Sequence, residues 1–272
     1  MTAPPRAVVT GATSGLGREL AVQLGRRGWR VAVTGRRVDE LKVTAKLVRD
    51  AGGETLILPG SVTDDDEVRA HYAQIKAAWG GLDWAVLNAG VGDSLDAREF
   101  KAESYRWTFD TNVLGVCRWM EAVIPDMIAR KSGVIAGVAS LAGFRGLPQS
   151  GPYSASKAAL ITLLESTRVD LRGTGVDVVT VCPGFVKSEM TDRNNPGSMP
   201  FVMETPDGAA AILAGIDARR RVVHFPWQLS YAMKYGVASL PDFAYDWLAG
   251  KLGHLRKKKP SAEAARHAGK SS

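Results

Sequence analysis

Tyr153-Ser154-Ala155-Ser156-Lys157 sets a phenol and an ammonium four residues apart. On a helix that spacing stacks the two side chains on one face. A lysine held beside a tyrosine favours the phenolate and lowers a pKa that is about 10 in isolation. A tyrosine tuned towards neutrality gives a proton to a carbonyl oxygen or takes one from an alcohol. A second stretch, Thr10-Gly11-Ala12-Thr13-Ser14-Gly15-Leu16-Gly17, carries different chemistry. A glycine-rich turn between a strand and a helix lets the backbone approach a pyrophosphate seated on the helix N-terminus. Its spacing, G-x-x-x-G-x-G, is not the G-x-G-x-x-G of the general fingerprint. Neither stretch is decisive alone: a Tyr/Lys pair also suits a solvated helix face, and glycine turns are common.

Holding these residues in place requires strands and helices in alternation, and the chain supplies both. Apolar runs at 7–10, 31–34, 55–58, 84–87, 134–139, 176–181 and 221–225 read as strands. Helical spacing recurs at about 15–27, through Leu41, Ala45 and Val48, and at 64–79, 153–171 and 205–218. A long helix is expected over about 103–129, kinked or shortened at Pro125. Alternation of this kind predicts an α/β fold, a Rossmann-type doubly wound parallel sheet of about seven strands. The expected organisation is one catalytic domain over 1–225, a helical extension over 226–256 and a basic, disordered tail over 257–272.

Composition narrows the class. The 272 residues are 45% hydrophobic and 23% charged, as in an ordinary globular protein. The net charge of +7 is local: residues 251–272 carry seven basic residues and one acidic, which leaves +1 for everything before them. A nucleic-acid-binding domain carries its basic residues on the folded body, so that class is set aside. No run of 18 uncharged apolar residues suggests a membrane span. The segment before the first strand leaves no room for a signal peptide. Cys117 and Cys182 read as reduced, buried thiols of a cytoplasmic protein, neither a disulfide nor a metal site.

The glycine octapeptide resembles the nucleotide loop of the short-chain dehydrogenase/reductase family, in its compact single-domain branch. Further matches follow in the family's order. Asn88-Ala89-Gly90 comes after the fourth strand and Asn112 lies in the long helix. Ser140 closes the fifth strand, and Pro183-Gly184 follows the sixth. The resemblance spans about residues 6–225. It implies a catalytic tetrad of Asn112, Ser140, Tyr153 and Lys157. Ser140 would hydrogen-bond the substrate oxygen and Tyr153 would act as general acid. Lys157 would depress the tyrosine pKa and bind the nicotinamide ribose, and Asn112 would hold a water in a proton relay. A cofactor would be held by Gly11, Thr13, Ser14, Gly15, Leu16 and Gly17, by Asn88, Ala89 and Gly90, and by Pro183, Gly184, Val186 and Ser188, besides Tyr153 and Lys157. Ser61 and Val62 would meet the adenine, although the family commonly has aspartate where Ser61 stands. Ser188 likewise replaces a usual threonine.

The acidic residue that binds the ribose 2′-hydroxyl of NAD belongs at the end of the second strand. Here Thr34-Gly35-Arg36-Arg37 puts glycine in that place and two arginines after it. An arginine fork suits a 2′-phosphate, which favours NADP(H) over NAD(H), with Arg36 the main contact and Arg37 a helper.

Residues 185–205 resemble the family's substrate lid. Substrate contacts are expected from Ser140, Leu141, Tyr153, Phe185 and Met190, in an apolar pocket completed by Phe144, Leu147, Met199, Phe201 and Met203. Residues 225–247 hold seven aromatics, with Trp227, Tyr231 and Tyr235 at helical i, i+4 spacing, before the Arg256-Lys257-Lys258-Lys259 cluster. Two readings stay open for this segment. It is a helical cover packed on the body or on a partner subunit, or it is a peripheral membrane anchor with aromatics in the headgroup layer and lysines on anionic lipid. The expected function is NADPH-dependent reduction of a bulky or hydrophobic ketone or aldehyde, in a homodimer or homotetramer. The alternative is a non-catalytic NADP(H) sensor or scaffold on the same fold. Epimerase or dehydratase chemistry on sugar nucleotides calls for a larger domain than the residues after Pro183 provide.

Overall fold

Seven short runs of Val, Ala, Ile and Leu form one sheet: β1 (Arg6–Thr10), β2 (Arg30–Gly35), β3 (Glu54–Pro59), β4 (Trp84–Leu87), β5 (Gly133–Val138), β6 (Val176–Pro183) and β7 (Val222–Phe225). The strand order is β3-β2-β1-β4-β5-β6-β7, and every neighbouring pair is parallel. The computed structural model describes residues 3–92, 94–189, 191 and 199–253. Met190 and the basic tail lie outside the described residues.

Side chains alternate between the two sides of the sheet, and both sides are apolar. Val9, Val33, Val86, Ala136 and Val181 meet α1 (Gly15–Arg26), α2 (Val38–Asp50) and α7 (Thr205–Asp217) through Leu20, Leu24, Leu41, Ala45, Ile212 and Leu213. Val8, Ala32, Ala85, Ile135 and Val178 meet α3 (Asp65–Trp79), α5 (Gly115–Arg130) and α6 (Gly151–Asp170) through Ile75, Trp119, Val123, Met127, Leu160 and Leu164. Each fully buried Leu or Ile contributes about 1.5–3 kcal/mol. Two such layers make the doubly wound Rossmann-like architecture expected from the strand runs.

The expected long helix is divided. α4 (Ala102–Phe109) runs into a π-helical turn, Asp110–Leu114, which leads into α5. Pro125 sits inside α5 without ending it. The wide turn carries Asn112, which is fully buried, and insertions of this type often mark functional sites. After β7 come α8 (Trp227–Tyr231), a second π turn (Ala232–Gly236) and α9 (Asp242–Gly253).

Connectivity reverses between β1 and β4. In open parallel sheets, ligands bind outside the carboxyl ends of the strands at such a switch point. Both the glycine loop after β1 and Asn88-Ala89-Gly90 after β4 open onto it.

Candidate active site

The glycines of the loop are required by close approach. Gly11 has a φ of +65°, and a Cβ on it would lie 2.8 Å from the Ala89 Cα. A Cβ on Gly17 would lie 2.3 Å from the Gly11 carbonyl oxygen and 2.5 Å from Asn88 Nδ2. The two loops are stitched together. Asn88 Nδ2 donates to the Thr10 carbonyl at 3.0 Å, and the Ala89 N–H donates to Thr10 Oγ1 at 2.9 Å. Gly15 (φ +52°) leaves room for Ser188, whose Cβ lies 3.2 Å from where its own Cβ would be. The half-buried Leu16 packs towards Gly208, and Val62 is buried against Gly115.

The two arginines at the end of β2 are placed differently. Arg37 reaches the loop, donating to Ser14 Oγ at 2.8 Å and Thr13 Oγ1 at 3.1 Å. Its other amino group pairs with Glu189 at 3.1 Å. Ser14 is the N-cap residue of α1 but makes no side-chain bond to the helix, so its hydroxyl is turned to Arg37. Arg36 is exposed and makes no polar contact among the described residues. Ser61 is occupied locally: its Oγ is 2.8 Å from Thr63 Oγ1 and accepts from the Thr63 N–H at 3.2 Å.

Beyond β4 and β5 the four expected catalytic side chains converge. Tyr153 and Lys157 lie in the first two turns of α6, whose buried face continues through Leu160 and Leu164. Lys157 Nζ donates to the Val138 carbonyl at 2.7 Å and lies 5.7 Å from the Tyr153 ring centroid. Ser140 caps the short 3-10 turn Leu141–Gly143, with its Oγ accepting from the Ala142 N–H at 3.1 Å. Ser140 Oγ also donates to the Pro183 carbonyl at 3.5 Å. Asn112 is clamped: its Oδ1 accepts from the Val91 N–H at 2.8 Å, and its Nδ2 donates to the Val91 carbonyl at 2.9 Å and to Ser156 Oγ at 3.0 Å. Gly90 borders both groups, since a Cβ there would sit 3.3 Å from Lys157 Nζ and 3.4 Å from Asn112 Oδ1.

The electrostatics differ from the expectation that Lys157 depresses the tyrosine pKa. Burial around the hydroxyl pushes the Tyr153 phenol up, and the Ser140 side chain opposes this. Burial also pushes the Lys157 ammonium down, to about 8. In a low-dielectric site both neutral forms are favoured. Lys157 bonds to a carbonyl, not to the phenol, so its charge does little for the phenolate. The Cys182 thiol, pushed up to about 12 by burial, stays neutral beside them. Cys117 is only half-buried, against expectation.

Ser156 was not singled out from the sequence. It is fully buried, donates to the Tyr153 carbonyl at 2.8 Å and accepts from Asn112, tying two of the four residues together. Its one sequence signal is a hydroxyl beside Lys157.

Of the expected substrate residues, Leu141 is buried in the core. Phe185 is half-buried, its carbonyl accepting from the Met203 N–H at 2.9 Å, while Phe201 is exposed. A cavity of about 340 Å³ lies between the loop that leads into Tyr153 and α9; Leu95, Tyr105, Leu147, Gln149, Tyr245 and Ala249 are on its wall. Leu147 is the expected pocket residue among them. Arg145 straps α9 over this loop, with a 2.7 Å ion pair to Asp242 and its guanidinium 4.5 Å from the Tyr245 ring centroid. The Tyr245 hydroxyl donates to the Gly146 carbonyl.

A parallel sheet with a glycine loop at its switch point, and a Ser/Tyr/Lys/Asn cluster beyond β5 whose Lys157 and Asn112 are buried and whose Ser140 and Tyr153 are half-buried, fits the oxidoreductase class of doubly wound proteins. The sequence model of the short chain dehydrogenase family matches residues 5–198. The chain belongs to that family. It is 46% identical to an uncharacterized oxidoreductase of Myxococcus xanthus over 246 residues, 90% of this chain and 96% of the relative. It is 33% identical to a 3-oxoacyl-[acyl-carrier-protein] reductase of Staphylococcus aureus over 187 residues, 68% of this chain and 76% of that enzyme.

Proposed function

We propose that the chain is an NADPH-dependent reductase that converts a bulky or hydrophobic ketone or aldehyde to an alcohol, reversibly, with Tyr153 as general acid. The observation that carries this reading is the convergence of Tyr153, Ser140, Lys157 and Asn112 at the carboxyl end of the sheet, beside the glycine loop. The donor set fits the dinucleotide. The loop glycines sit where a Cβ would not fit, and Arg37, which donates to the Ser14 and Thr13 hydroxyls, already pairs with a carboxylate, that of Glu189. Arg37 and Arg36 would take the 2′-phosphate, the α1 N-terminus the pyrophosphate, and Lys157 the ribose.

When bound, NADPH supplies the hydride. The chain's own residues handle the oxygen and the proton. Ser140 donates a hydrogen bond to the substrate oxygen, and Tyr153 gives it a proton. A phenol held protonated by burial is in the state that reduction needs. Lys157, with its pKa brought down to about 8, exchanges a proton readily near neutral pH. The rigidly held Asn112 supports the relay to it. With this reading go a cytoplasmic setting, a homodimer or homotetramer and peripheral contact with a membrane.

The test is loss of NADPH absorbance against a panel of aromatic ketones, diketones, steroids and long-chain 3-keto compounds. Tyr153→Phe is expected to remove nearly all turnover while NADPH still quenches the protein's fluorescence. Wild-type turnover in that variant would refute the role of Tyr153. NADPH binding by the wild type without turnover on any carbonyl would favour the non-catalytic sensor.

A further inference from the structure

The C-terminal segment leaves its aromatics outside. Trp227, Tyr231 and Tyr235 are 68%, 55% and 58% exposed, and Phe243 and Trp247 are 79% and 64%. They form two rows at i, i+4 spacing. In the first, the Tyr231 and Tyr235 rings meet tilted, with centroids 5.4 Å apart. The second lies on α9, whose other side, Tyr245, Asp246 and Ala249, faces the cavity. Each row ends in a lysine laid on an aromatic ring: Lys234 is 5.2 Å from the Tyr235 centroid and Lys251 is 3.9 Å from that of Trp247. Of the acidic groups here, Asp242 is paired with Arg145 and Asp246 faces the cavity. Exposed aromatics grouped in this way mark an interaction surface.

We infer that this surface docks on an anionic lipid layer, and that the site takes its carbonyl substrate from that layer. Three observations favour lipid over the other occupants. Residues 254–272 hold one leucine as their one large apolar residue, and no Phe, Trp or Tyr, so the chain's own tail has too little apolar surface to cover five rings. That tail begins directly after α9 and adds Arg256, Lys257, Lys258 and Lys259 to Lys234 and Lys251, whereas the rest of the chain is close to neutral. A symmetric contact with a second copy would set these like charges on one shared, self-complementary face, which is unfavourable. Trp and Tyr with lysine heads beside them suit the headgroup layer, where an apolar ring is buried and a cation meets phosphate. No described helix is long and apolar enough to cross the membrane, so the contact is peripheral. α9 would then lie between the lipid and the cavity, with Phe243 and Trp247 turned to one and Tyr245 and Ala249 to the other. This admits a carbonyl compound with a long apolar tail.

The membrane contact stands apart from the reductase reading; the substrate claim rests on it. The test is co-sedimentation of the full chain with vesicles of phosphatidylcholine alone or mixed equally with phosphatidylglycerol. Pelleting is expected with the mixed vesicles only, and raised salt should weaken it. Trp247→Ser with Phe243→Ser should weaken binding by about tenfold or more, with NADPH binding retained as the control for folding. Lys251→Glu, a milder change, should weaken it by about fivefold. A wild-type chain that stays in the supernatant would overturn the inference. So would serine variants that pellet normally but split an oligomer in light scattering, because the face would then be a contact between copies. If the chain pellets but reduces no long-chain ketone presented in the vesicles, the substrate claim fails. A chain that also reduces no soluble carbonyl loses the reductase reading as well.

Discussion

Lys157→Met is expected to stabilise the protein at neutral pH. In the folded chain the ammonium is buried with one carbonyl as its hydrogen-bond partner, and its pKa falls from 10.5 to about 8. In the unfolded chain it returns to the ordinary value. Between these two pH values the unfolded state binds more protons, so stability rises with pH across that window. Below about pH 8 the full cost of the buried charge is present, about 3 kcal/mol at about 1.4 kcal/mol per pKa unit. Above about pH 10.5 the lysine is neutral in both states and the cost is gone. Methionine fills a similar volume without charge, but it leaves the Val138 carbonyl unpaired, which gives back about 1 kcal/mol. The net gain is about 2 kcal/mol near pH 7, and it should shrink and change sign towards about pH 10.5. Urea unfolding of both proteins followed by circular dichroism across this range reads the difference directly, and shared titrations elsewhere cancel. A variant less stable than wild type at neutral pH, or a difference that does not vary with pH, would refute the argument. The cost would then not reside in the lysine charge.

Glu189→Gln removes the carboxylate that pairs with Arg37. It should tighten NADPH about twofold to fivefold and leave NADH unchanged, because exposed pairs of this kind are worth about 0.2–1 kcal/mol. Arg37→Ala should weaken NADPH by more than Arg36→Ala does; fluorescence titration of each variant checks the ranking, and the reverse order would restore Arg36 as the main contact. Gly17→Ala places a Cβ 2.3 Å from a backbone carbonyl. The loop must shift, with a loss of about 1–3 kcal/mol of stability and of most dinucleotide affinity. Calorimetry and titration measure the two losses, and a variant that binds normally would show that the loop tolerates the shift. Arg145→Ala breaks the Asp242 pair and the contact with Tyr245. It should lower global stability by less than about 1 kcal/mol, yet speed hydrogen exchange in α9 severalfold. Unchanged exchange would mean that Arg145 is not the strap.

What the sequence made legible follows from the physics of each element. The strands were readable because a sheet covered on both sides needs apolar runs such as 31–34 and 134–139, and little else in the chain looks like them. The doubly wound arrangement was readable because parallel strands joined by right-handed crossovers leave few topologies. Position in that topology then carries Gly11–Gly17 and Asn88–Gly90 to one crevice, although 70 residues separate them. The division of the long helix was not readable. A π turn inserts one residue into a helical pattern whose apolar spacing is too loose to register it, and only the burial of Asn112 reveals it. The surroundings of Tyr153 were not readable for a related reason. Spacing places Lys157 on the same helix face, but it cannot say whether the ammonium bonds to the phenol or to the Val138 carbonyl across from it.

Arg36 and Arg37 show where adjacency stops being informative. Neighbouring residues at the end of a strand point to opposite sides, so a one-residue difference in where the strand releases the chain decides which one meets the glycine loop. β2 runs on to Gly35, and Arg37 is the N-cap residue of α2 with an extended backbone. That conformation sends its guanidinium back to Ser14 and Thr13 and leaves Arg36 facing solvent. The same geometry pairs Arg37 with Glu189, distant in sequence, so a carboxylate of the segment after β6 already holds one amino group of that guanidinium. On the proposed NADPH reading, the pattern Gly-Arg-Arg at the end of β2 displays the arginines but not the glutamate that pairs with one of them.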